Sequence, residues 1–273
     1  MLSTEINNKR LIIISGISSF LGRSLKVLLY NEDLLEINRN SSIYKNKKFQ
    51  NSNISSYENI FKDFEEIFFI HLASFYSLDE KNKKEIFEAN IKFGSEILKI
   101  LPKTKTKKIL YTNTVFTLSN NKKILNSSYV KTKKNFSTIL SKYTKSNNIA
   151  FLEIFLSNIY GPNDTRNKIL DQIINNYKNN KNNPVLDKSI FINLMHVNDV
   201  AKNIINNLFP VENGKYLLIS KKLYKLHNIF YYLEDKSQIQ AKVENLDKVS
   251  NIEFLPKIIY QWDLLNYLDR FRD

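Results

Sequence analysis

Short apolar runs alternate with longer stretches of helical period along most of this chain, and that alternation leaves few architectures open. Leu11 to Ser15, Leu34 to Asn38, Ile67 to Leu72, Ile109 to Thr112 and Phe151 to Phe155 have the length and near-continuous apolarity of buried strands. Between them, Phe20 to Tyr30 carries Leu21, Leu25, Leu28 and Leu29 at helical spacing. Lys84 to Leu101 sets Ile86, Phe87, Ile91, Ile97 and Leu98 inward before Pro102 stops it, and Tyr129 to Tyr143 reads as a further helix. Parallel strands need such crossovers, so the pattern predicts an α/β fold with an open, doubly wound parallel sheet. After Gly161-Pro162 the pattern loosens, with Asn175 to Pro184 reading as loop or frayed helix and the C-terminal part as mixed short elements. The expected division assigns residues 1–160 and 191–220 to the sheet domain, and residues 161–190 and 221–273 to a small C-terminal substrate lobe.

With 273 residues, 42% hydrophobic and 12% aromatic, the chain can bury a sizeable core, which excludes a disordered tail protein. No apolar run approaches the roughly 18–20 residues that span a bilayer, and Met1 to Arg10 is polar, so no membrane association and a cytoplasmic address are expected. Zero cysteines exclude disulfides, thiolate metal sites and cysteine nucleophiles, and three histidines, His71, His196 and His227, leave little for zinc; no metal site is expected. The net charge of +14 invites a nucleic-acid reading. Lys, Asn and Ile are enriched together, however, as compositional drift of a whole coding sequence would produce, so nucleic acid is not the expected partner. One local feature survives that discount: Ile97 to Leu152 holds no Asp or Glu while carrying lysines from Lys99 to Lys145, a solvated basic face or a positive field beside an anionic ligand.

The first strand ends in Ser15-Gly16-Ile17-Ser18-Ser19-Phe20-Leu21-Gly22 and opens a helix. In that context a glycine turn lets backbone amides approach a pyrophosphate at the positive helix end. The chain has only 5 glycines, and two at this junction favour a dinucleotide site over a plain strand–helix turn, although Ser19 occupies the usual middle glycine position. At the end of the second strand an acidic residue would bind a free ribose diol and repel a 2′-phosphate. Asn38-Arg39 stand there and point to NADP(H), with Arg39 as the phosphate partner, while Glu36 keeps NAD(H) open.

From this turn onward the chain resembles the extended short-chain dehydrogenase/reductase family, the NAD-dependent epimerase/dehydratase group acting on nucleotide sugars. His71-Leu72-Ala73-Ser74 matches its strand-end HLA motif, Asn90 with Gly94 its N-x-x-x-G signature, and Thr112-Asn113-Thr114-Val115-Phe116 the segment whose hydroxyl residue precedes a Val-Tyr pair. Tyr129-Val130-Lys131-Thr132-Lys133 matches YxxxK, Asn158-Ile159-Tyr160-Gly161-Pro162 matches NVYGP, and His196-Val197-Asn198-Asp199-Val200-Ala201 resembles HVDDVA. The motifs fall in the family's order over almost the whole chain. The resemblance implies a Rossmann-type sheet whose cofactor contacts come from Gly16, Ser18, Ser19, Phe20, Leu21, Gly22, Asn53, Ile54, Leu72, Ala73 and Ser74.

The spacing of Tyr129 and Lys133 puts both on one helix face, one turn apart, so an ammonium can lie near a phenol whose reference pKa of about 10 makes it a poor base. The resemblance then implies Tyr129 as general acid/base, Lys133 as the residue that holds the nicotinamide ribose and lowers the tyrosine pKa, and Thr112 as hydrogen-bond partner of the sugar hydroxyl or carbonyl. Thr114 is the fallback hydroxyl, Asn158 a substrate contact, and a homodimer through the Tyr129 helix is implied too. His71 and His196 read as packing residues. Departures narrow the reaction: Asn113 and Thr114 replace the Asp-Glu pair of the family's dehydratases, the interval from Thr112 to Tyr129 is short, and Phe155 and Ile192 stand where relatives often have arginines. The leading expectation is NADPH-dependent reduction of a keto group on a nucleotide-activated sugar. The alternatives are a 4-epimerase with retained NAD and a non-catalytic dinucleotide- or RNA-binding relative.

Overall fold

Leu11 to Ile14 lose all exposure to solvent because their strand is paired on both sides and covered on both faces. The structure, a computed structural model, describes residues 9–179, 190–235, 242–243, 252–256 and 258–271. The chain runs β1 (Arg10–Ser15), α1 (Phe20–Leu28), β2 (Leu34–Ile37), β3 (Ser41–Tyr44), β4 (Lys47–Gln50), α2 (Ile54–Lys62), β5 (Glu66–His71), α3 (Lys83–Phe87), α4 (Phe93–Ile100) and β6 (Thr106–Thr114). It continues through α5 (Lys122–Asn126), α6 (Ser128–Ser146), β7 (Ala150–Leu156), β8 (Asn158–Tyr160), α7 (Ile169–Lys178), β9 (Phe191–His196), α8 (Val197–Asn206) and β10 (Gly214–Leu218). Last come β11 (Lys222–Lys225), α9 (Leu226–Asp235), β12 (Lys242–Val243), β13 (Glu253–Phe254) and α10 (Leu264–Leu268).

The main sheet has the order β13-β10-β7-β6-β5-β1-β2-β3-β4 and is parallel from β13 to β2. One face packs on α1 and α8 through Ile12, Ile14, Leu25, Val200 and Ile204, and the other on α2, α4 and α6 through Leu11, Ile13, Phe61, Ile97 and Phe136. The expected doubly wound α/β fold is therefore present, with an edge that the apolar pattern missed. β3 runs antiparallel to both β2 and β4, turning at Lys45 and Asn46, whose φ values of 47° and 62° suit a two-residue hairpin loop.

Other expectations shift in detail. β2 stops at Ile37 rather than Asn38, and α1 at Leu28 rather than Tyr30. The stretch read as one helix from Lys84 is divided by a π turn, Glu88–Lys92, and Phe87 is 50% exposed, since its neighbour Ile86 takes the inward position and adjacent helix residues point about 100° apart. Asn175 to Lys178 complete α7, while the rest of the polar stretch, from residue 180, lies outside the described residues.

β8, β9, β11 and β12 form a second, four-stranded sheet, so residues 191–196, expected in the main sheet, pair instead with β8 and β11. α8 and β10 do return to the main sheet, and β13 from the C-terminal part extends its edge. The second sheet has its own core of Tyr160, Ile192, Tyr224, Ile229 and Leu268. Among the described residues no helix is long and apolar enough to cross a membrane.

Two histidines are built into this frame. His71 shares a hydrogen bond of 2.7 Å with Ser15 and is walled by Phe69, Tyr111 and Phe136; burial and the nearby Lys133 charge lower its pKa to about 3. His196 caps α8 by accepting from the Asn198 amide and stacks on Trp262, and burial with the Arg270 charge lowers it to about 4. Both folded values lie below the unfolded value of about 6.5, so the unfolded chain binds more protons as pH falls. Stability should therefore decline as pH drops from about 6.5 toward 4, by about 2 kcal/mol per histidine at pH 5. Thermal unfolding followed across that range should show the decline, and His196→Gln should flatten it.

Candidate active site

Ligands of open α/β sheets bind where the strand order reverses, which here is at the carboxyl end of β1, between β2 and β5. Gly16 leaves β1 with φ +79°, and a Cβ there would lie 2.7 Å from the Ala73 amide nitrogen, so the turn needs glycine both for its conformation and for its contact with the end of β5. A Cβ on Gly22 would lie 2.4 Å from the carbonyl oxygens of both Gly16 and Ile17. Ser19 has a local function: its hydroxyl accepts from the Gly22 amide at 3.1 Å and caps α1. Ser18 and Ser19 are exposed, whereas Phe20 and Leu21 anchor the helix in the core beneath. A capped helix N-terminus with no acidic residue in its first turn, folded tightly beneath a glycine, suits an anionic pyrophosphate.

The next segment ties this turn to the chemistry. The Leu72 amide donates to the Ser15 carbonyl at 3.1 Å, continuing the β1–β5 pairing past His71. Asn90, in the π turn, accepts from the Phe75 amide at 2.7 Å and donates to Phe75 O and to Thr132 Oγ1 on α6, stapling the loop after β5 to the helix that carries Tyr129 and Lys133.

Tyr129 is 8% exposed. Burial pushes its phenol up to about 12; hydrogen bonds with Ser74 and Thr114 pull it down, and the neighbouring Tyr76 phenol pushes it up. Lys133 is 3% exposed and donates to Thr112 O at 2.7 Å, with its ammonium 4.3 Å from the centre of the Tyr111 ring. Burial lowers its pKa to about 7, and the charge of Glu153 opposes that. Tyr129, Lys133, Ser74, Thr112 and Thr114 are thus brought together. The hydroxyl beside the phenol is that of Thr114, while Thr112 Oγ1 faces His71 O at 3.4 Å. Lys133 is engaged with Thr112 and Tyr111 rather than with the phenol.

The remaining candidates separate. Glu36 pairs with Lys26 on α1. Asn51 Nδ2 donates to Asn38 O at 2.7 Å and Arg39 O at 3.1 Å, holding the turn with the Arg39 side chain in solvent. Asn53 caps α2 by accepting from the Ser56 amide, and Ile54 is 48% exposed beside it. The Asn158 amide donates to Asn193 O at 3.3 Å, across the β8–β9 pair, so it serves the second sheet.

Motif reading did not find Tyr76 or the loop 161–168. The Tyr76 ring stands edge-on to Tyr129 at 4.9 Å, and Lys168 places its ammonium 3.5 Å from the Tyr76 centroid. Arg166 lies over the Phe20 ring at 4.4 Å and pairs with Asp164, and Arg23 donates to the carbonyls of Ser18 and Asn163. One loop therefore borders both the glycine turn and the phenol. Its Arg166-Asn167-Lys168 run was the available signal.

The profile of the NAD dependent epimerase/dehydratase family matches residues 12–214. A CDP-abequose synthase from Salmonella typhimurium is 27% identical over 175 residues, covering 61% of this chain and 58% of that protein. A CDP-abequose synthase from Salmonella muenchen is 22% identical over 273 residues, covering 93% and 92%. Among solved structures, the UDP-N-acetylglucosamine 4-epimerase of Methanobrevibacter ruminantium M1 superposes with a TM-score of 0.73 at 17% identity, over 97% of this chain and 96% of that one. With a family profile spanning most of its length, the chain belongs to the NAD dependent epimerase/dehydratase family.

Proposed function

We propose that this protein reduces a keto group on a nucleotide-activated sugar, with NADPH as coenzyme. The observation that carries the reading is the short path from the glycine turn to the phenol: Gly16 packs on Ala73, and the next residue, Ser74, sets its side chain beside Tyr129. A nicotinamide dinucleotide is the family's cofactor, and the glycine turn, the α1 N-terminus and the buried Lys133 fit it. The names of the curated relatives support a nucleotide diphosphate sugar as the substrate class.

When bound, the nicotinamide supplies a hydride to the carbonyl carbon. A phenol held at about 12 is protonated near neutrality, the state in which Tyr129 can donate a proton to the carbonyl oxygen as negative charge develops there. Thr114 orients that phenol, and Lys133 supplies positive charge beside the ribose position. Arg39, free of carboxylate competition now that Glu36 is paired with Lys26, supports NADPH over NADH.

Purified protein is expected to consume NADPH, read as loss of reduced-coenzyme absorbance, when given nucleotide-activated keto sugars. Tightly retained NAD with product formed in the absence of added coenzyme would decide for a 4-epimerase. Steep salt-dependent RNA binding without turnover would decide for a binding protein. Thr114→Val should lower kcat by about 10-fold or more by removing the hydroxyl beside the reacting phenol, and Thr112→Val by less.

A further inference from the structure

Glu153 is a charge in the wrong place for a strand of this kind. It sits at the centre of β7, in the run Phe151-Leu152-Glu153-Ile154-Phe155, with 0% exposure. A buried carboxylate is retained only when paired and hydrogen-bonded. Its Oε1 accepts from Asn113 Nδ2 at 2.7 Å, and its Oε2 lies 3.1 Å from the ammonium of Lys215, the facing residue on β10, whose side chain is 53% exposed. Neither partner belongs to the site.

The register of β6 against β7 sets this carboxylate beside the tyrosine whose ring carries the lysine. Tyr111 is the cross-strand partner of Glu153, and its ring carries the Lys133 ammonium at 4.3 Å. Lys133 is anchored on Thr112 O, the residue between Tyr111 and the Asn113 that binds Glu153. Lys133 lies near His71 on β5, Tyr111 on β6 and Glu153 on β7, one helical turn from Tyr129 on α6, with Lys215 beyond Glu153. His71 is neutral above pH 3 and both phenols are held protonated near neutrality, so Glu153 brings the negative charge in this set.

We propose that Glu153 is the counter-ion that keeps the buried Lys133 ammonium charged, a positioning residue that acts from below the sheet surface without touching coenzyme or sugar. The inference rests on the assignment of Lys133 to the active site. Burial works against the ammonium and Glu153 works for it. Lys215 sets a cation 3.1 Å from Oε2, and the Asn113 amide fixes the direction of the carboxylate. Position 113, where the family's dehydratases carry a carboxylate, here points at Glu153.

The test is the titration of Lys133 in the intact protein with 13C-labelled lysine, its Cε resonance assigned by disappearance in Lys133→Arg. In Glu153→Gln, which keeps an oxygen for the Asn113 amide, the midpoint should fall by about one pH unit or more. The alkaline limb of kcat/KM should move down with it, turnover lost at neutrality being regained at lower pH. Should the Gln variant fail to fold, Glu153→Leu removes the charge in favour of an apolar side chain of similar size, a replacement buried ion pairs often tolerate. A midpoint that stays in place or rises in the folded variant would overturn the proposal. A midpoint that falls while the rate profile stays would sustain the charge coupling and overturn the placement of Lys133 in the active site.

Discussion

Tyr129→Phe should reduce turnover by about 10²–10⁴-fold, the usual contribution of a positioned proton donor, while coenzyme binding stays unchanged. The phenyl ring keeps the apolar contacts of Tyr129, including its edge-on packing with Tyr76, so only the hydroxyl is lost. That hydroxyl lies beside the side chains of Ser74 and Thr114, and the structural penalty should be about 1 kcal/mol. Steady-state kinetics, coenzyme titration by fluorescence and thermal unfolding on one preparation would separate the effects. Turnover above a tenth of the wild-type rate would remove Tyr129 from the chemistry.

Gly16→Ala should have the largest effect on coenzyme binding. At φ +79° a non-glycine residue carries strain of roughly 1–3 kcal/mol. The new Cβ would also overlap the Ala73 backbone, which cannot swing aside as a flexible side chain would. Relief requires separating the turn from the end of β5, the contact that relates the pyrophosphate position to Ser74 and Tyr129. If the strain is released in the coenzyme-free protein and restored on binding, affinity falls by about 10- to 100-fold, and kcat falls as well because the phenol loses its alignment. Ser19→Gly is the matched control. It removes the cap bond to the Gly22 amide, costs a few tenths of a kcal/mol at about the level expected for a cap replaced by glycine, and should leave coenzyme affinity nearly intact. Equal losses in the two variants would mean that the turn is simply fragile, and the close approach of Gly16 to Ala73 would have no special place in binding.

The parts of this protein legible from its residues in order are those governed by short-range periodicity and turn chemistry. Buried parallel strands advertise themselves as apolar runs, a glycine at a strand–helix junction marks a backbone conformation other residues avoid, and a four-residue spacing puts Tyr129 and Lys133 on one helix face whatever the rest of the chain does. The β3–β4 hairpin escaped because its strands are short and largely polar, β4 being the sheet edge, and β9 was misplaced because an apolar run says that a strand is buried without saying in which sheet.

The arrangement of the site was settled by contacts between residues far apart in the chain. Which threonine meets the phenol depends on the depth at which α6 lies across the end of β6, and spacing alone leaves Thr112 and Thr114, on the same strand face, equivalent. Whether Glu36 reaches the ribose position or Lys26 depends on the packing of α1 over β2. Asn158, Lys168 and Glu153 acquire their partners from other strands and loops, at sequence separations that no local pattern encodes. Hydrophobic order along the chain selects the layers, whereas pairing register and side-chain electrostatics in a dry interior select which charged and hydroxyl groups act together, and those quantities exist only once the layers have closed.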